Sequence, residues 1–582
     1  MMKEIAARTV VVGSGCAGLN AADWLAALGE KDFILVTENM LSGTSRNTGS
    51  DKQTYYKLSL AGDEDDSVGA LCKTLKREDV DGDTALCEAA GSAQCFFKLV
   101  QLGVPFPCND MGEYVGYRTD HDVRTRATSA GPLTSRYMTE ALERSVRARG
   151  VAVLDHLLAY RILTDGDGVC GLQCLDTADG TLITLRCAHV VLATGGPAAV
   201  YRDRVYPESQ LGMSGMAFEA GAKGANLDCW QYGLASVSFR WNVSGSYQQA
   251  LPRYVSVDEA GVEREFLLES LSQEEALSSV FLKGYEWPYD PRKLGGSSRV
   301  DVLVKRESDR GRRVFLDYRQ NPAGYSLDAL SEEARVYLVN CGATQETPLE
   351  RLRAINAPAI ELYRAHGIDI EREMLEIRVC AQHHNGGVAV DGDWQTSVPG
   401  LYVCGEAAGT FGKYRPGGTA LNSTQVGSMR AATHIARKSR RALPQAAAPA
   451  EALLLPTGDP AALTSELQTL MTRHAAFSRD EDGIRRLLSR LSEIERGFAP
   501  MDPDDPLLAD RLRLRDLMLT QRQVLCAMLF GLRDDGPGVL ETCRGACVRR
   551  PARPVPERDL WFERVWRRYR EDSKDKGESA WR

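Results

Sequence analysis

Two stretches of this chain share one pattern: a short apolar run that ends in glycine and gives way to residues spaced as in a helix. The first run is Thr9-Val10-Val11-Val12, followed by Gly13-Ser14-Gly15-Cys16-Ala17-Gly18 and a helical stretch from Cys16 to Leu28. A second apolar run, Phe33-Ile34-Leu35-Val36-Thr37, then delivers Glu38. Nearly 400 residues later, Leu401-Tyr402-Val403-Cys404 ends at Gly405-Glu406. A loop bearing Arg415 follows, and then a predicted helix from near Gly417 to about Ala436. An Ala/Pro-rich stretch runs from about Arg441 to Pro460, and beyond it heptad-like apolar spacing in Leu463–Leu491 and Leu507–Leu532 predicts packed helices. There is no internal repeat.

The first pattern has a physical use. A helix that starts at a glycine turn presents exposed amides and a positive dipole end to a pyrophosphate. Gly13 makes the tight turn, Gly15 admits the phosphate, Gly18 lets the helix lie close, and Glu38 is placed for ribose hydroxyls. This motif alone permits NAD or FAD. The distant segment favours FAD, because a second helix N-terminus aimed at a flavin pyrimidine would stabilise negative charge on the reduced ring.

Composition narrows the setting. At 582 residues the chain suits about three or four domains. The net charge of -8 argues against nucleic acid or an anionic membrane as partner. No apolar stretch is long enough to span a bilayer and no leader-like segment precedes the first strand, so a cytoplasmic location is expected. The 15 cysteines are scattered and include no close-spaced set of the kind that ligates an iron–sulfur cluster, so no metal site is expected.

Further motifs carry a family resemblance: Ser45-Arg46-Asn47-Thr48, Ala193-Thr194-Gly195-Gly196 with Val200-Tyr201, Ala220-Gly221-Ala222, Ser298-Arg299 before Val314-Phe315-Leu316-Asp317, Gly386-Gly387, and Arg415-Pro416-Gly417-Gly418-Thr419-Ala420-Leu421. With these the chain resembles the flavoprotein subunits of fumarate reductase and succinate dehydrogenase, with L-aspartate oxidase and adenylylsulfate reductase as relatives. In the tail the resemblance rests only on Arg479, Arg485, Arg486 and the Glu541-Thr542-Cys543-Arg544-Gly545 turn. The resemblance implies an α/β fold: a Rossmann-like FAD-binding domain formed by residues 1–230 and 372–436, an inserted α+β capping domain at 231–371, a linker at 437–460 and a helical C-terminal domain at 461–582.

It also implies roles. Gly13 to Gly18, Glu38, Ser45 to Thr48, Ala193, Thr194, Gly195, Gly386, Gly387, Gly405, Glu406, Gly418, Thr419, Ala420 and Leu421 are expected to bind FAD. Arg299 is the position resembling the cap arginine that delivers a proton, and Arg415 the one that binds a substrate carboxylate beside the flavin. Asp51, Lys52, Tyr55 and Tyr56 fall in the loop that crosses the flavin in relatives.

Departures from the family pattern bear on the substrate. Gln382 and Gly233 stand where relatives acting on four-carbon dicarboxylates carry histidines, while His383 and His384 are shifted along. Either shifted histidine is a candidate for proton transfer, and on an extended segment only one can face the flavin. The loop Ser45 to Gly49 holds no histidine, so FAD is expected to be non-covalent. Gln210-Leu211-Gly212-Met213 replaces the family's threonine-glycine-aspartate-glycine turn. The expected activity is hydride transfer at flavin N5 with a small anionic substrate other than fumarate or succinate, at a carbon–carbon bond. Chemistry like that of adenylylsulfate reductase or an amino-acid oxidase, or an electron-transfer subunit paired with an iron–sulfur protein, stays open.

Overall fold

The computed structural model describes residues 3–62, 65–119, 122–448 and 451–575. At its centre lies a five-stranded parallel sheet in the order Leu401–Val403, His189–Leu192, Thr9–Val12, Phe33–Val36, Ala152–Leu154. Thr9–Val12 is buried at every position, as its unbroken apolar run requires of a strand covered on both faces. The helices Cys16–Ala27 and Thr419–Arg437 pack on this sheet side by side. Asn20, fully buried, joins them through bonds to the Gln425 carbonyl at 2.9 Å and Ser428 Oγ at 2.7 Å. The two distant glycine segments therefore meet in one Rossmann-like unit.

The inserted region builds a six-stranded antiparallel sheet: Trp241–Asn242, Trp230–Ser236, Leu375–His384, Arg313–Asp317, Arg253–Val257, Glu263–Arg264. Leu375–His384 lies within it, although the expected boundary at 371/372 assigns that strand to the FAD-binding part. Its backbone groups pair with Trp230–Ser236 and Arg313–Asp317, so the sheet runs across the boundary and carries His383 and His384 towards the central unit.

The tail departs from expectation in one way. The heptad-like stretch Leu463–Leu491 folds as helices, as its spacing predicts: Pro460–His474 and Glu481–Arg496, the second started by the Asp480 side chain accepting from Gly483 N–H. A third helix spans Leu508–Gly531. The departure is that the tail is not wholly helical, because Val539–Cys543 and Ala546–Arg550 form a hairpin that joins Gly224–Ala225 and Gly387–Val388 in a four-stranded sheet. Its two-residue loop, Arg544-Gly545, has positive φ at both positions (48° and 83°), the twist a tight hairpin needs. No helix among the described residues is long and apolar enough to cross a membrane.

Candidate active site

A cavity of about 310 Å³ opens where the parallel sheet, the inserted region and the helix Thr419–Arg437 converge. Both helix N-termini face it. Gly15 starts the first helix and Gly418 the second, neither with a side-chain cap, and Gly13, Ser14, Gly15, Cys16 and Ala17 line one part of the cavity while Gly405, Glu406, Gly418, Ala420 and Leu421 line another. At Gly13, φ is 109° and an added Cβ would stand 2.5 Å from the Ala193 carbonyl, so no larger residue fits the turn. Gly18 lies behind the lining, where any Cβ would overlap the Gly13 carbonyl.

The other expected cofactor contacts divide. Glu38, Ser45, Thr48, Ala193, Thr194 and Gly195 line the cavity. Glu38 is also ion-paired to Arg513 of the tail. Arg46 is instead paired with Glu143, and Asn47 donates to the carbonyls of Leu41 and Gly43, so these two brace the loop. Gly386 and Gly387 lie outside the lining, in and beside the four-stranded sheet, and buried Thr419 sits behind Arg415. Gln210, in the altered turn, fastens the cavity wall: its Nε2 donates to the carbonyls of Thr194 (2.7 Å) and Gly196 (3.1 Å), while its Oε1 accepts from Thr44.

Arg415 reaches the cavity buried, with Nε donating to Asn385 Oδ1 at 3.2 Å, Nη1 to Thr419 Oγ1 at 3.2 Å and Nη2 to Gln231 Oε1 at 2.6 Å. These three acceptors are neutral, and the bonds fix the fork's direction. Asn385 also sets His383. Its Nδ2 donates to the Gly412 carbonyl at 2.8 Å, which makes its Oδ1 the acceptor for both Arg415 Nε and, at 2.9 Å, His383 Nδ1. The network thereby assigns the proton of neutral His383 to Nδ1 and leaves Nε2 as an acceptor. Nε2 is buried without a hydrogen-bond partner, 4.0 Å from the Glu406 carboxyl. Burial, helped by the Arg415 charge, holds the His383 pKa well below the ordinary value, so the ring is neutral.

The adjacent histidine turns away. His384 stacks on Trp230 with ring centres 4.1 Å apart, and its Nε2 bonds the Leu227 carbonyl at 3.1 Å. Burial lowers its pKa to about 3, and it does not line the cavity. Arg299 also lies outside. Its helix, Ser298–Asp309, buries Ser298, Val300, Asp301, Leu303 and Val304, which leaves Arg299 on another face, donating to the Ser270 carbonyl at 2.9 Å and 3.7 Å from Glu275. Of the loop residues, Asp51 is tied to Ser246 and Asn356, Tyr55 and Tyr56 are buried in apolar clusters, and Lys52 is exposed.

Glu406 accepts from the Tyr206 hydroxyl and, at 2.9 Å, from the His384 N–H. Burial nevertheless raises its pKa to about 7. Three residues that local patterns did not flag complete the site: Tyr206, Asn385 and Trp287. Trp287 lines the cavity beside Gly233, where an added Cβ would stand 3.2 Å from the indole ring. Gln382, the other altered position, donates from Nε2 to the Gly233 carbonyl at 2.9 Å, and its buried Oε1 has no partner.

The residues present fit a dinucleotide. Two glycine-started helix ends, a turn that excludes any Cβ, and partnerless buried acceptors share one cavity. Comparison with known proteins agrees. The family model described as FAD binding domain matches residues 8–421. The L-aspartate oxidase of Agrobacterium fabrum is 29% identical over 508 residues, covering 85% of this chain and 86% of that protein. The chain is similar in fold to Mycobacterium smegmatis Sdh1 in complex with UQ1 (TM-score 0.73, 18% identity, 96% of each chain). It is likewise similar to Escherichia coli quinol fumarate reductase FrdA (TM-score 0.69, 17% identity, 97% of this chain and 99% of that one).

Proposed function

This chain belongs to the FAD binding domain family, and from that premise we propose that it exchanges hydride with a small carboxylate held by Arg415 in a site rebuilt away from four-carbon dicarboxylates. The protein is an FAD-dependent oxidoreductase. FAD, when bound, supplies a two-electron carrier that accepts or returns hydride at N5.

The observation that carries the substrate reading is the placement of Arg415. Its guanidinium lines the same cavity as both helix N-termini, with a direction set by Asn385, Thr419 and Gln231. A planar fork so fixed grips one carboxylate and holds the neighbouring carbon in a repeatable position. Gly13, Gly15, Glu38 and Gly195 are suited to the dinucleotide, and Gly405, Glu406, Gly418 and Leu421 to the ring end. Neutral His383 offers an acceptor at Nε2 rather than a charge. A second carboxylate finds no imidazole at Gly233 or Gln382, which supports a substrate other than fumarate or succinate.

The test is anaerobic. The reduced holoenzyme is mixed in separate runs with fumarate, other enoates, imino acids generated in place, adenylylsulfate, a reducible iron–sulfur protein and oxygen, and the flavin band is followed. Selective reoxidation by a carboxylate other than fumarate, abolished in Arg415→Ala with flavin content retained, is the expected result. Fumarate turnover would overturn the rebuilt-site reading, and reoxidation by the iron–sulfur protein alone would make the chain an electron-transfer subunit.

A further inference from the structure

We propose that Arg292 is a positioning residue for Arg415: through Tyr414 it fixes the backbone from which the fork reaches, so the grip is set while the inserted region lies over the cavity. The inference rests on the carboxylate grip assigned above to Arg415 and adds what holds that grip from outside.

The bonds to Asn385, Thr419 and Gln231 orient the Arg415 side chain, but its backbone belongs to the loop that leads into the helix Thr419–Arg437. The residues just before Arg415 are tied to different parts of the chain. The Gly412 carbonyl accepts from Asn385 at 2.8 Å. The Lys413 N–H donates to Asp79 Oδ2 at 2.7 Å, and its ammonium pairs with Asp535 of the tail. Tyr414, next to the fork, is covered by the Arg292 guanidinium, 3.6 Å from the ring centre. There the cation meets the electron-rich face of the ring.

Arg292 is itself held from behind. Buried Asp290 accepts from its Nε at 3.0 Å and from its Nη2 at 2.6 Å. The Asp290 N–H in turn donates to Ser298 Oγ at 2.9 Å, at the start of the helix Ser298–Asp309. A carboxylate binds a guanidinium along its edge, which leaves the flat face for the tyrosine ring. The same segment lines the cavity at Trp287 and is pinned in between, where the Tyr289 N–H donates to the Tyr232 carbonyl at 2.8 Å. From Trp287 to Arg292 the inserted region thus forms both a wall of the cavity and a hold on the loop that carries Arg415.

Magnitude decides what such a contact can do. The Arg292 side chain is half-exposed, and a cation on an aromatic face at such a site is worth about three- to fivefold in an equilibrium. That is too little to hold the fold together and enough to bias a loop between set and loose positions. Loss of Arg292 should therefore loosen the Arg415 loop and leave the fold intact.

Hydrogen–deuterium exchange on the flavin-loaded protein reads the loop directly and needs no substrate. In Arg292→Ala the amides of residues 408–418 should exchange about three- to fivefold faster, at wild-type flavin content and with unchanged exchange in the strand Thr9–Val12. Tyr414→Leu should match it, Tyr414→Phe should keep the wild-type rate, and Arg292→Ala combined with Tyr414→Leu should add nothing further. With the acceptor that reoxidises the flavin fastest, Arg292→Ala should raise KM by the same factor and leave kcat within about twofold. Wild-type exchange in Arg292→Ala, or equal loosening in Tyr414→Phe, would overturn the inference. So would an unaltered KM in Arg292→Ala while Arg415→Ala abolishes turnover. Unaltered kinetics in both variants would instead sink the underlying carboxylate reading.

Discussion

Asn385 shows how much one fully buried side chain can decide. Its carboxamide orients Arg415 and His383 together and has no free orientation of its own, because the Gly412 carbonyl claims its N–H. Asn385→Leu should therefore lower kcat/KM for the best carboxylate substrate by about 10- to 100-fold at unchanged flavin content, since it frees the fork and the ring tautomer. Steady-state kinetics beside the flavin-to-protein ratio test this, and an unaltered kcat/KM would refute the orienting role. Glu88 makes a different case. It is fully buried behind the cavity, accepts from Ser423 Oγ at 2.8 Å, and burial raises its pKa to about 7 from an ordinary 4.5. In the unfolded chain the carboxyl ionises near 4.5, so between about pH 4.5 and 7 the fold binds the extra proton. Stability from this group is full below that window and is lost as pH rises through 7. Glu88→Gln should thus gain on the wild type by on the order of 2 kcal/mol between pH 5 and pH 8, read by chemical denaturation. A pH-independent difference would count against it.

At the scale of elements, the strand, glycine turn and helix is the unit that makes the cavity. Gly18→Ala drives a methyl into the Gly13 carbonyl, so the helix must lift from the strand. The expected outcome is a folded protein that loses most of its flavin on gel filtration, and full retention would show that the turn can relax. These units were legible in the sequence because apolar periodicity and turn glycines are local signals, and so was the meeting of the two glycine segments. What was not legible arises from pairing between distant strands. Trp287 enters the cavity because Gly233 leaves space in a neighbouring strand, and Asn385 gains its role only once Leu375–His384 joins the inserted sheet. Arg299 shows the converse: a motif position can match while the helix beneath it turns the side chain elsewhere. The hairpin at Val539–Arg550 was hidden for the same reason, since its partners lie hundreds of residues upstream.

For the whole molecule, the tail is fastened to the central unit by charged contacts. Arg513 pairs with Glu38, Arg515 with Glu219, and Arg550 forks onto Asp81 at 2.9 and 2.8 Å. Burial pushes the Asp81 carboxyl up, but the Arg550 fork and the Arg553 N–H more than offset it and hold its pKa below the ordinary value. Asp81→Ala should destabilise the protein by about 2 kcal/mol near neutral pH, and the difference should vanish as acid titrates the wild-type carboxylate. Parallel denaturation curves at pH 7 and at about pH 2, below the lowered pKa, check both halves. The strand His189–Leu192 has a further consequence, because one of its edges is covered only by Leu401–Val403. During synthesis that edge waits for about 200 more residues, on the order of 10 to 40 s of ribosome time, with its backbone groups open to other chains. The nascent protein therefore has a vulnerable interval in which chaperone cover matters most, and it can load its coenzyme only when that interval closes.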